Sequence, residues 1–174
     1  QDALILLVRS LTGEKSLSFL FNAYAFFKSG FIVGEYAENS SRLFIMKGDH
    51  FEANHFYQDI KGVRHIHSIL CDNDLFFIST GDSKKVLDKW GFCNGEIRFI
   101  GRVMSTFAGF TGCCTVQNKH YFGTDFSERP NYIYCLENEK KFFLPEPAYT
   151  QFFAGMIPVN DRFIFCMNTS MPHS

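Results

Sequence analysis

Along most of this chain, apolar residues come in short blocks cut by Asn, Asp and Gly, a pattern suited to strands joined by tight turns. The clearest example is the run "RHIHSILCDNDLFFISTGD", from Arg64 to Asp82. It reads as a strand over His65–Leu70, a turn at Asp72-Asn73-Asp74, a second strand over Leu75–Thr80, and a polar loop opening at Gly81-Asp82. Lys85–Asp88 follows as a third strand and Glu96–Arg102 as a fourth, after the turn-forming Cys93-Asn94-Gly95.

Weaker copies of this unit lie on both sides. Before it, the pattern predicts strands over Ala3–Arg9, Leu17–Phe27, Phe31–Tyr36, Arg42–Met46 and Ala53–Ile60. After it come Phe110–Val116, the turn Gln117-Asn118-Lys119, then Tyr121–Thr124, Tyr132–Leu136 and Lys141–Leu144. Phe152–Ile157, the turn Pro158–Asp161 and Phe163–Met167 complete the pattern. Gly34, Ser79 and Gly123 align as equivalent positions, in steps of 45 and 44 residues. Four short strands repeated at about 40–50 residues are the signature of a propeller blade. The expected fold is therefore all-β: a β-propeller, or a partial propeller arc of four-stranded antiparallel blades, forming a single domain over 1–174. Blades are expected near 23–62, 64–104 and 107–148, with partial blades at 1–22 and 149–174. The partial blades can close a ring of about four or belong to an arc of a larger propeller, a ring of about six or seven, and the arc is favoured because a ring of about four leaves very little of the chain for closure.

Composition supports strands and removes several functions. The chain is 46% hydrophobic and 17% aromatic, with 22 phenylalanines, and aromatic residues fit a pleated, half-buried surface. A net charge of −1 gives no electrostatic case for nucleic acid or an anionic membrane. The apolar run at Ala3–Val8 is too short for a membrane span or a signal segment, which leaves the compartment open and slightly favours the cytoplasm. No two of the six cysteines form a C-x-x-C pair, and buried free thiols are the expectation. Phosphate-binding loops and the G-x-S-x-G elbow are absent from the sequence, which disfavours nucleotide-dependent and α/β-hydrolase chemistry.

The candidate chemistry clusters at the strand ends. His65 and His67, at i and i+2 of an inner strand, should project from one face. There they can hydrogen-bond neighbouring blades, hold a metal with Asp82 or Asp125 as third ligand, or supply a general base. Glu35, Asp82 and Asp125 each follow the second strand of successive units, where they either converge or accept hydrogen bonds from their own turns. The catalytic candidates are His65, His67, Asp82 and Asp125, and the candidate ligand contacts are Glu35, Tyr36 and Arg64. Tyr36, Trp90 and Tyr132 can act as sugar-stacking platforms or as core residues. The residues call for no metal and no cofactor.

The run from Arg64 to Asp82, with "FIVGEY" before it and "YFGTD…NYIYCLE" after it, resembles bacterial propellers of the sialidase-like superfamily, whose relatives carry Asp-box (BNR) repeats. An intact Asp box has the form Ser-x-Asp-x-Gly-x-Thr-Trp, whereas Lys85 to Gly91 keeps an Asp, a Trp and a Gly in altered order. The sialidase arginine triad and tyrosine nucleophile have no counterpart here. The resemblance implies a propeller fold and two functions: a non-catalytic domain binding a glycan or protein ligand, or a carbohydrate-active hydrolase or lyase using His65, His67, Asp82 and Asp125.

Overall fold

Two-residue turns set the register of the sheets. Asn94 and Gly95, at φ 53° and 82°, join β7 (Val86–Cys93) to β8 (Glu96–Ser105), and Gln117 and Asn118, at φ 50° and 57°, join β9 (Phe110–Val116) to β10 (Lys119–Thr124). Paired left-handed residues match the twist of the flanking strands, which is why Asn and Gly recur there. The computed structural model describes residues 6–10, 13, 17–20, 22–28, 30–37, 41–126, 129–146 and 152–169.

The described chain is all-β apart from one short helix. β1 (Tyr24–Phe27), β2 (Gly30–Gly34), β3 (Leu43–Lys47) and β4 (His50–Asn54) form one four-stranded antiparallel sheet in chain order. β5 (His65–Asp72), β6 (Leu75–Gly81), β7 and β8 form a second. β9, β10, β11 (Tyr132–Cys135) and β12 (Lys140–Phe143) form a third, and β13 (Phe152–Asn160) pairs with β14 (Phe163–Thr169) in a hairpin.

The chain divides into two compact units, Gln1–Thr106 and Phe107–Ser174. In the first, Ile32, Val33, Phe44, Ile66, Ile69, Phe76, Ile78 and Trp90 share one apolar core. In the second, Cys114 and Val116 of β9 pack with Phe153 and Met156 of β13. Burial falls off from the first strand to the last in the second and third sheets, whereas in the first sheet β2 and β3 are more buried than β1. The first six residues of β5 are all buried, whereas β12 is exposed along its whole length.

Three expectations change. Leu6–Ser10 is helical, not part of a strand; residues 1–5 lie outside the described set. A short apolar run has no decisive period, and its leucines are good helix formers. Leu17–Phe27 is not one strand, because Ala23 donates its amide to the Leu20 carbonyl at 2.9 Å and the chain turns before β1. The strand expected over Ala53–Ile60 stops at Asn54, whose side chain accepts the Phe56 amide at 3.0 Å and starts a turn.

The loops between second and third strands share a device. Thr80 Oγ accepts the Val86 amide at 3.1 Å, and Thr124 Oγ accepts the Tyr132 amide at 3.0 Å. Glu35 does the same with its carboxylate, accepting the Arg42 amide at 3.1 Å. Glu35, Thr80 and Thr124 are separated by 45 and 44 residues, so the repeat extends to a side-chain function that closes each loop.

Candidate functional site

His65, His67 and Asp82 come together at one end of the second sheet. The ladder between β5 and β6 pairs His65 with Gly81 and Ile66 with Thr80, then skips to Ser68 and Ser79. His67 is therefore the extra residue of a β-bulge, a local device that re-aims a side chain. Its ring lies against Gly81 so closely that a Cβ there would fall inside it. The next residue, Asp82, has φ 64°. That left-handed turn, which Asp tolerates better than most residues, accompanies a carboxylate brought back towards both imidazoles. Its Oδ2 is 2.9 Å from His65 Nε2 and its Oδ1 is 3.9 Å from His67 Nε2.

Both imidazoles are sunk and the carboxylate is not. His65 and His67 are 4% and 3% exposed, whereas the Asp82 side chain is 43% exposed. Burial pushes the His67 ring down to about 4, Asp82 opposes this, and His65 and Lys85 add to it. At neutral pH His67 is thus uncharged. The two ring centroids are 6.3 Å apart, and the described residues contain no group of three or more His, Cys, Asp or Glu placed to hold a metal ion.

The surrounding candidates take separate places. Tyr36 bridges to His65 across the junction of the first two sheets, its ring centroid 3.8 Å from that of His65, and it is 38% exposed. Tyr36, His65 and Gly81 thus lie side by side in one ladder. Glu35 is buried and held by the Arg42 guanidinium at 2.7 and 2.9 Å. The carbonyl of Arg64 accepts the Ser41 hydroxyl, and the residue as a whole is exposed. Asp125 belongs to the second unit, where its amide donates to the Gly109 carbonyl at 3.1 Å. Of the proposed stacking platforms, Trp90 is a core residue at 1% exposure and Tyr132 is half-buried, packed against Phe143.

Two polar clusters had no signal in the sequence pattern. Asp88 of β7 is fully buried and receives Arg102 Nε at 2.8 Å and the Tyr57 hydroxyl at 3.2 Å, while the Trp90 indole donates to that hydroxyl at 3.1 Å. In the second unit, Glu137 accepts the His120 amide at 2.9 Å and the His120 ring at 2.5 Å, tying the β11–β12 turn to the start of β10. Burial pushes the Glu137 carboxyl up, but these hydrogen bonds outweigh it and hold it below its usual value. A carboxylate lowered in the folded state stabilises above its unfolded value of about 4.5, and that contribution is lost as pH falls through the folded value. Glu137→Gln should therefore lower the melting temperature at neutral pH, and its deficit against the parent should shrink in melts at about pH 3. An unchanged deficit would mean that the charge of Glu137 contributes nothing.

The fold and the site define an all-β chain of repeated antiparallel sheets with an imidazole pair buried behind one exposed carboxylate. No protein-family model matches the chain, and no curated protein matches it. Among solved structures it is similar to the computationally designed Ika4 protein, with 8% sequence identity and a TM-score of 0.53, over 90% of this chain and 93% of that one. At that identity the likeness shows the fold alone.

Proposed function

We propose that the chain is a non-catalytic β-propeller domain, or an arc of one, that binds a glycan or protein ligand. In this reading each four-stranded sheet is a blade, and β13 with β14 is the first half of another. One relation supports the blade reading: Ile66 of β5 fills the space over Gly34 of β2, and Phe153 of β13 fills the space over Gly123 of β10. In both cases the first strand of one sheet packs on the penultimate or last residue of the preceding sheet's second strand.

The observation that carries the non-catalytic reading is the burial of the histidines. A general base must come within hydrogen-bond reach of its substrate, and rings only 3–4% exposed are walled off by Gly81, Asp82 and Tyr36. Tyr36, Arg64 and Asp82, all exposed, are the ligand contacts in this reading, while buried Glu35 closes its own loop.

The second reading is a sialidase-like hydrolase or lyase, favoured by the 2.9 Å approach of His65 to an exposed carboxylate. A panel of fluorogenic glycosides, sialosides included, separates the two. The expected result is no turnover by the parent above that of Asp82→Asn. Turnover that falls about a hundredfold in that variant would replace the binding reading with the enzyme. On a glycan array or against a protein ligand, Tyr36→Ala should weaken binding about tenfold; unchanged binding would remove this face from the reading.

A further inference from the structure

His67 is the bulged residue of β5, where the register shifts between the Ile66–Thr80 and Ser68–Ser79 pairs, and Ser68 to Asp72 pair with Leu75 to Ser79 beyond it. The His67 ring is what packs on Gly81, and Gly81 leads into a loop tied at its far end, where the Lys85 carbonyl accepts the Thr106 amide at 3.0 Å. Lys84 donates its amide to the Gly62 carbonyl at 2.7 Å and accepts the Thr80 hydroxyl at 2.8 Å.

The charges around the ring set what happens when it gains a proton. On its own strand it has His65, and on the β6–β7 loop it has Asp82 and Lys85. β1 and β2, which pack on β5, bring Tyr24, and the residues after β2 bring Glu35, already held by Arg42, and Tyr36, whose ring lies on His65. Asp82 is thus the anion acting on His67, it is 3.9 Å away, and it is nearer to His65. A buried imidazolium with that partner, a second imidazole and a lysine beside it is unstable in place and gains by reaching water.

We propose that His65, His67 and Asp82 form an acid-operated latch, in which uncharged His67 holds Gly81 and the Asp82–Lys85 loop in place and its protonation in mild acid releases that loop while the remaining ladders of the first unit stay formed. The proton comes from solvent, and no covalent bond changes. Release would expose the Tyr36–His65–Gly81 ladder end, so the face carrying Tyr36 and Asp82 becomes pH-dependent.

Hydrogen exchange read by mass spectrometry, from about pH 7.5 to about pH 4.5 and corrected for intrinsic rates, tests the latch. The expected result is a loss of protection of about tenfold or more over residues 81–85, with the β7–β8 hairpin unchanged. His67→Gln should abolish the response. Lys85→Met keeps His67 but removes a charge opposing its protonation, so the midpoint should move to higher pH. Protection that stays constant, or that falls equally across the first unit, overturns the proposal. So does a midpoint unmoved in Lys85→Met, which decides the matter if His67→Gln does not fold.

Discussion

Replacing Asp88 with alanine is expected to lower the unfolding free energy by about 3–5 kcal/mol, the usual cost of removing one partner of a buried pair. Asp88 is fully buried and serves three donors on two residues: Arg102 Nε at 2.8 Å, Arg102 Nη2 at 3.3 Å and the Tyr57 hydroxyl at 3.2 Å. Its loss strands the Tyr57 hydroxyl inside the core, where the Trp90 indole still donates to it but nothing accepts its proton. The Arg102 side chain is 31% exposed and can turn to water, which sets the effect nearer the lower end. Asp88→Asn keeps an acceptor and should cost less. Urea denaturation at constant slope measures both. A phenol titration gives a second readout, because burial and then the Asp88 charge push the Tyr57 hydroxyl well up. Removing Asp88 should bring it down. Arg98→Ala, which breaks a fully exposed pair with Glu96, should leave stability unchanged. An Asp88→Ala change as small as that of Arg98→Ala would show that the cluster contributes nothing.

The contrast between Asp88 and the histidines shows what a linear pattern can carry. His65, His67 and Asp82 are joined by one hairpin, so the strand pairing and its turn were enough to bring them to one end of the sheet. The Asn-Gly turn at Asn94-Gly95 was legible for the same reason: local backbone chemistry fixes it. Tyr57 comes from a loop 31 residues before Asp88, and no period links the two. Trp90 was visible as an aromatic, but its indole partner was not. Glu35 was grouped with Asp82 and Asp125 as one of three carboxylates. Its structural equivalents are Thr80 and Thr124, because what repeats is an acceptor for a loop amide and not a charge. The bulge at His67 also had no signal, since Ile66 and Ser68 continue an ordinary strand pattern.

Gly34→Val and Gly123→Val should each cost about 3 kcal/mol, at the upper end of the usual range for overpacking. The two glycines are 89 residues apart and lie in different units, yet each lies under a large side chain from the next sheet. At Gly34 a Cβ would meet Cβ and Cγ2 of Ile66, and at Gly123 it would meet Cβ and the ring of Phe153. Neither neighbour can yield at a flexible tip, because the clash is with atoms close to its own backbone. Ile66 and Phe153 are fully buried, so moving them opens the core as well. Gly101 supplies the control: a Cβ there meets nothing within 4 Å, and Gly101→Ala should be close to neutral. Ser79, at the intermediate repeat position, is fully buried and already carries a Cβ. The same requirement for a small residue, at Gly34 and at Gly123, thus recurs within each unit. If one valine variant unfolds in urea with the parent's midpoint, the two contacts are not equivalent, and that support for the blade reading is lost.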